Sequence, residues 1–228
     1  MASKKHAAPF AISAFVLAGG QSSRMGRDKA LLEWHGRPLI EHALEKLRVL
    51  GAEFQGTQPR ILGARPDLKS FAPVVEDNFP GHGPLGGIEA ALSIADTDLS
   101  LFLPIDLPFL PAEFLRWMVG RAALTGAAAT IPRMEGRPQP LCALYHRRLL
   151  PGIRSALRQG DGKVTRVIAN SASDAEMRID SFDVESIATA QAHAGTWPLG
   201  TPVHRWFENM NTPSDFMRAA LEQTPYIY

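Results

Sequence analysis

Short apolar runs alternate with amphipathic stretches along most of this chain. The first run, Ala11 to Ala18, predicts a buried strand that empties into Gly19 and Gly20. Behind Pro38, Leu39, Ile40, Ala43, Leu44, Leu47 and Leu50 recur at helical spacing. Ile61-Leu62-Gly63 and Pro73-Val74-Val75 predict short strands, Leu85 to Ser93 a helix, and Leu99 to Leu103 another buried strand. Pro111 marks the first turn of a helix that buries Phe114, Leu115 and Met118. Ala127 to Ile131 and Leu141 to Tyr145 predict further strands, and Leu149, Leu150, Ile153 and Leu157 form a helical stripe. Ser181 to Trp206 lacks a strong period and ends in a run rich in Gly and Pro, so it reads as an irregular connection. Thr212-Pro213-Ser214-Asp215 predicts the capped start of a last helix carrying Phe216, Met217, Ala220 and Leu221. Alternation of this kind predicts an α/β chain: a mostly parallel, Rossmann-like sheet between two helical layers. No repeat or internal boundary is visible, so residues 1–9 are expected to form a flexible tail and 10–228 one domain.

Charge narrows the choice of ligand. The 228 residues carry 24 basic and 23 acidic side chains, a formal net charge of +1, which gives no bulk attraction for nucleic acid or an anionic membrane. An anionic ligand must therefore be met by local placement. The single cysteine, Cys142, lies in an apolar run and reads as a core residue; one thiol allows no internal disulfide, which fits a cytoplasmic protein. No apolar run approaches the ~20 residues of a spanning helix. The apolar run behind Lys4 and Lys5 is the first strand, so a signal peptide is a poor reading.

The candidate chemistry begins at Leu17-Ala18-Gly19-Gly20. Adjacent glycines let backbone amides turn toward anionic oxygens, and Arg24 and Lys29 bring two cations to the same loop. Strand, glycine turn and cations read as a triphosphate cradle. The spacing excludes a P-loop, since Gly26 is followed by Arg27-Asp28-Lys29, and it excludes the dinucleotide fingerprint. In an open parallel sheet, ligands bind beyond the carboxyl ends of the strands. That rule selects Asp77, after Pro73-Val74-Val75-Glu76, and Asp106, after Leu101-Phe102-Leu103-Pro104-Ile105. Asp96 and Asp98 precede their strand and read as solvated carboxylates on the opposite edge. Asp106 sits among apolar residues and prolines, where a carboxylate needs a partner; one Asp suffices for a Mg²⁺ that arrives with nucleotide phosphates. Capping the helix behind Pro111 is the other reading of Asp106. His82 lies between glycines without a partner His and is not read as a metal ligand.

Leu-Ala-Gly-Gly-x-x-x-Arg-Met-Gly-x-x-Lys resembles the nucleotidyltransferases, and in particular the molybdenum cofactor guanylyltransferase family. Three further segments resemble that family: Gly83-Pro84-Leu85-Gly86-Gly87 behind Asp77, Arg137-Pro138-Gln139-Pro140-Leu141, and Asn209-Met210-Asn211-Thr212-Pro213. The resemblance implies the fold of the nucleotide-diphospho-sugar transferases. It also implies that Leu17, Ala18, Gly19, Gly20, Lys29, Asp77, Gly86 and Asp106 contact the nucleotide, with Mg²⁺ on Asp106. Arg24 and Lys29 would offset charge on the α-phosphoryl group and the leaving pyrophosphate. Asn209 and Asn211 point the same way in an extended segment and are assigned to the second substrate, although Asn211 also fits a purely structural turn. Gly86 stands where the family has Ala. Leu62-Gly63-Ala64-Arg65 lacks the two asparagines of the family's Asn-x-Asn-Arg, one of which touches nucleotide there.

The reaction implied is transfer of GMP from GTP to molybdopterin with release of pyrophosphate, together with contact with proteins that deliver or receive the cofactor. A cytidylyltransferase for the same pterin and a sugar-phosphate nucleotidyltransferase are the near alternatives. Gly19 favours guanine, because the cytidylyl relatives tend to Leu-Ala-Ala-Gly. A metal-dependent glycosyltransferase would need Asp-x-Asp at the strand end, where Pro104 stands. A nucleotide sensor would have no use for Asn209 and Asn211.

Overall fold

A computed structural model describes residues 11–19, 28–193, 197, 201–210 and 215 of the chain. The first apolar run forms β1 (Ile12–Leu17), followed by a hairpin of β2 (Glu33–Trp34) and β3 (Arg37–Pro38) and by helix α1 (Leu39–Glu53). Next come β4 (Arg60–Leu62), β5 (Val74–Val75), α2 (Pro84–Ile94), β6 (Leu99–Pro104) and α3 (Ala112–Thr125). β7 (Ala129–Met134), β8 (Arg137–Pro138) and β9 (Ala143–His146) lead into α4 (Leu150–Arg158) and α5 (Val164–Asp174). β10 (Ile179–Asp183) and α6 (Val184–His193) follow. One sheet runs in the order β10-β7-β9-β6-β1-β4-β5, with β8 paired to β7. β1 pairs parallel with both β4 and β6, β4 with β5, and β10 with β7; β9 runs antiparallel between β6 and β7.

Period-two side chains split the core between two faces. Ile12, Ala14 and Val16 of β1, with Leu99, Leu101 and Leu103 of β6, pack against Leu44 and Leu47 of α1, Phe114 and Met118 of α3, and Val184 of α6. Phe15 and Phe102 point the other way and meet Ile88 and Leu92 of α2, Ile153 of α4 and Ile168 of α5. The three-layer α/β/α architecture follows from that division.

Where the sequence predicts an irregular Ser181 to Trp206, the structure has a strand, a helix and a short 3-10 turn at Val203–Arg205. β10 escapes a hydrophobicity reading because only Phe182 of its five residues is fully buried at this sheet edge. The segment is anchored by aromatic rings: Phe182 stacks edge-on against Trp117 at 4.9 Å, and Trp206 lies 5.4 Å from Phe114. α5 is a second element absent from the expectation. It buries Val167, Ile168, Ser171 and Ala172, a stripe disguised by small and polar residues. Gly152 lets α4 cross it closely, since a Cβ there would lie 2.5 Å from Ser171 Oγ. The expected tail 1–9, the apolar Phe216, Met217, Ala220 and Leu221, and the cap Thr212 lie outside the described residues.

Candidate active site

The parallel strands β1, β4, β5 and β6 end on one edge of the sheet, and the chain reverses its direction of winding between β4 and β6, on either side of β1. Open α/β sheets form their ligand crevice at such a point. Gly19 leaves β1, Gly63 leaves β4, Asp77 follows β5 and Asp106 follows β6. The register supports the cluster: Leu17 lies opposite Leu62 on one side and Pro104 on the other. Gly63 must be a glycine: its φ is +117°, and a Cβ would lie 3.2 Å from Gly19 Cα.

Lys29 and Asp106, 77 residues apart, meet here. Lys29 Nζ donates to Asp106 Oδ2 at 2.8 Å, with both side chains largely shielded from solvent. Lys29 opens a short 3-10 turn, Lys29–Leu31, that Asp28 caps by accepting from Ala30 N at 3.0 Å. Asp106 Oδ1 carries no hydrogen bond among the described residues, so one carboxylate oxygen stays available to a hard cation. The backbone of Asp106 has its own task, because its carbonyl accepts from Met210 N at 3.1 Å. Met210 is buried with Trp34, Leu39 and Phe109, which leaves neighbouring Asn209 exposed beside the Asp106 turn. The structure thus joins the C-terminal asparagine segment to the site. Leu17 and Ala18 flank the same corner; Gly20, Arg24 and Asn211 lie outside the described residues.

Asp77 forms the other wall. Its carboxylate rests on the first turn of α2: a Cβ on Gly86 would lie 2.8 Å from Phe79 O and 3.3 Å from Asp77 Oδ2. Ala at this position would push the loop away, so Gly86 sets how tightly it seats. Asp77 Oδ1 is buried without a hydrogen bond, and burial, reinforced by the charge of Glu89, raises its pKa. Such an oxygen is ready for a ligand N–H.

Glu89, Arg65 and Lys46 join these residues without a functional motif in the sequence around them. Glu89 is fully buried on α2 and accepts from Arg154 Nε at 2.6 Å and from Asn78 Nδ2 at 2.9 Å, bracing the loop next to Asp77. Its signal is a lone carboxylate within the apolar run Leu85 to Leu92. Arg65 donates to Ala18 O at 3.2 Å and pairs with both Asp28 and Asp67. Lys46 is buried on α1 and donates to Leu107 O at 3.3 Å and Pro108 O at 2.7 Å, holding the turn behind Asp106 from below. Asp96 pairs at 3.7 Å with Arg60, at the amino end of β4, which puts it on the opposite edge as expected. His82 Nδ1 donates to Pro80 O at 3.3 Å, and Cys142 is buried with its thiol pushed up to about 12.

Burial lowers the pKa of Lys46 to about 7, against the opposing pull of Cys142 and Glu113. The folded state therefore favours the neutral amine, and from the ordinary value of 10.5 down to about 7 the unfolded chain binds more protons. Stability from this group is full above that window and falls as pH drops through it. Relative to Lys46→Met, the native protein should gain about 1 kcal/mol per pH unit between pH 7 and 9 in urea unfolding. An unchanged difference across that range would refute the lowered pKa.

Comparison with known proteins bears on what this corner does. The family model described as MobA-like NTP transferase domain matches residues 14–176. The chain is 38% identical over 159 residues to a molybdenum cofactor guanylyltransferase of Vibrio atlanticus, covering 68% of this chain and 79% of the relative. It is 36% identical over 154 residues to the Vibrio cholerae protein of the same name, covering 65% and 72%. Its fold matches the crystal structure of molybdopterin-guanine dinucleotide biosynthesis protein A from Archaeoglobus fulgidus. The TM-score there is 0.68 at 25% identity, over 91% of this chain and 96% of the other.

Proposed function

This chain belongs to the MobA-like NTP transferase family, a family of nucleotidyltransferases, and on that premise we propose that it transfers GMP from GTP to molybdopterin. A terminal phosphate oxygen of the pterin attacks the α-phosphorus of GTP. The bond from that phosphorus to the β-phosphate oxygen breaks, and pyrophosphate leaves. The observation that carries this reading is the Lys29–Asp106 pair beside Asn209, in a chain 38% identical to a relative named for guanylyl transfer.

The nucleophile already bears negative oxygen, so catalysis rests on positioning and charge neutralisation rather than on a base. The backbone at Leu17, Ala18 and Gly19 receives the phosphates, and Lys29 neutralises the charge that gathers on the leaving pyrophosphate. Asp106 fits a divalent cation, Mg²⁺ in this proposal, through its available oxygen: one carboxylate with phosphates and water is a common Mg²⁺ set. When bound, that ion would neutralise charge on the transferring phosphoryl group. Asp77 and the first turn of α2 at Gly86 take the nucleoside end, and Asn209 faces the pterin. Among the described residues no helix is long and apolar enough to cross a membrane.

Pyrophosphate release measured with GTP, with and without molybdopterin, tests the proposal. Release should require both substrates and a divalent cation; release with a sugar phosphate in place of the pterin would move the chain to another branch. Asn209→Ala should raise the KM for molybdopterin about tenfold, the scale of one lost hydrogen bond, and leave GTP binding unchanged. An equal loss in GTP affinity by calorimetry would put this segment on the nucleotide.

A further inference from the structure

Arg65 sends its guanidinium to both flanks of the glycine loop. It leaves β4, and its side chain is only 16% exposed. Nη1 donates to Ala18 O at 3.2 Å, on the strand side of the loop, and Nη2 donates to Asp28 Oδ2, on the far side. The outer edge of the same fork is fixed by Asp67, with Nε to Oδ1 at 3.0 Å and Nη2 to Oδ2 at 2.7 Å. The hydrogen bond to Asp67 and, behind it, the charge of Asp28 outweigh the opposing effect of burial and hold Arg65 firmly charged.

From this geometry we infer that Arg65 is a positioning residue for nucleotide use: it sets the entry and exit of the loop and, through Asp28, the place of Lys29. The chain of contacts is continuous. Asp28 takes the guanidinium on Oδ2 and caps the Lys29–Leu31 turn with Oδ1, and Lys29 reaches Asp106 from that turn. Release of Asp28 would free the turn to shift, and the ammonium with it. Among the described residues the polar partners of the Arg65 side chain are Ala18, Asp28 and Asp67, so its link to Lys29 runs through Asp28. Lysine cannot replace it, because a single ammonium lacks the planar fork that binds a carboxylate in two places while reaching a carbonyl. The link to nucleotide use rests on Gly19 and Lys29 being the phosphate site proposed above; the clamp itself does not.

The test uses Arg65→Lys, Asp28→Asn, their combination, and Asp67→Asn, read by GTP calorimetry without pterin and by hydrogen exchange at Lys29–Leu31. Asparagine keeps the cap on Ala30 but loses the charge that holds the guanidinium. Arg65→Lys and Asp28→Asn should each weaken GTP binding about tenfold and speed exchange at Lys29–Leu31, and the double variant should be no worse than either. Asp67→Asn, which removes only the outer anchor, should stay near the native protein in both readouts. Additive losses in the double variant, or a loss in Asp67→Asn equal to that of Arg65→Lys, would overturn the clamp. So would unchanged exchange in Arg65→Lys. If the native protein binds GTP but transfers nothing to molybdopterin, the proposed reaction fails while the clamp is still decided by these readouts. If it binds no nucleotide, exchange alone decides.

Discussion

Asp106→Asn is expected to cut guanylyl transfer by at least about a hundredfold while the fold and the C-terminal segment stay in place. The backbone carbonyl that receives Met210 N is unchanged by the substitution, so Asn209 keeps its position. The carboxylate that balances Lys29 at 2.8 Å and would hold a divalent cation is lost. Removing a charge aimed at a transferring phosphoryl group costs several kcal/mol of barrier, and each 1.4 is about tenfold in rate. Nucleotide binding separates this from a folding defect. Without metal, Asp106→Asn should bind GTP at least as tightly as the native protein, since Lys29 no longer shares its charge with a carboxylate. With a divalent cation, the native protein should bind more tightly. Pyrophosphate release at saturating GTP reads the transfer rate, calorimetric titration with and without the cation reads the binding, and thermal unfolding is the control. Activity within about tenfold of native would remove Asp106 from the mechanism.

Asp106 was legible in the sequence because a buried strand must end somewhere, and a carboxylate directly after an apolar run is costly without a purpose. Gly19 was legible for a similar reason. The sheet and its two helical layers followed from apolar periodicity wherever the elements are buried on one clear face, as in β1, α1 and β6. β10 and α5 escape where the pattern fails: an edge strand in which Asp180, Ser181 and Asp183 leave one buried side chain, and a helix whose inner face is small and partly polar. Pairings across the fold were not legible either. Nothing in the local sequence joins Lys29 to Asp106, or Arg65 to Asp28, because register and helix packing bring these groups together. Lys46 shows the same limit, because a lysine between the leucines of α1 equally suits a solvated face. Arg65, next to Ala64, has no local signal either, and its contact with Ala18 O depends on how β4 sits beside β1.

GTP should bind about tenfold to a hundredfold more tightly than CTP or ATP, and Asp77 should account for most of the difference. Its Oδ1 is buried without a partner against Gly87, where an added Cβ would lie 3.5 Å away. Burial and the charge of Glu89 raise the pKa of this carboxyl, so its ionised form is strained until donors arrive. Guanine offers two adjacent N–H groups and adenine cannot mimic that edge; an unpaired buried acceptor costs about 1–3 kcal/mol, which sets the range above. Gly19 adds space rather than contact. Among the described residues a Cβ there would come no closer than 4.0 Å to Gly63 Cα or Leu62 O, so these neighbours leave room for Ala at this point. Gly19→Ala should therefore fold normally and narrow the ratio of GTP to CTP affinity, and Asp77→Ala should nearly erase it. The preference should also fade as pH falls through the raised pKa of Asp77, because a protonated carboxyl accepts poorly from two donors. Calorimetric titration of the native protein, Gly19→Ala and Asp77→Ala with the three nucleotides decides the matter. CTP binding as tight as GTP binding in the native protein would place the chain among the cytidylyl enzymes, and a GTP preference that survives Asp77→Ala would assign guanine to another contact.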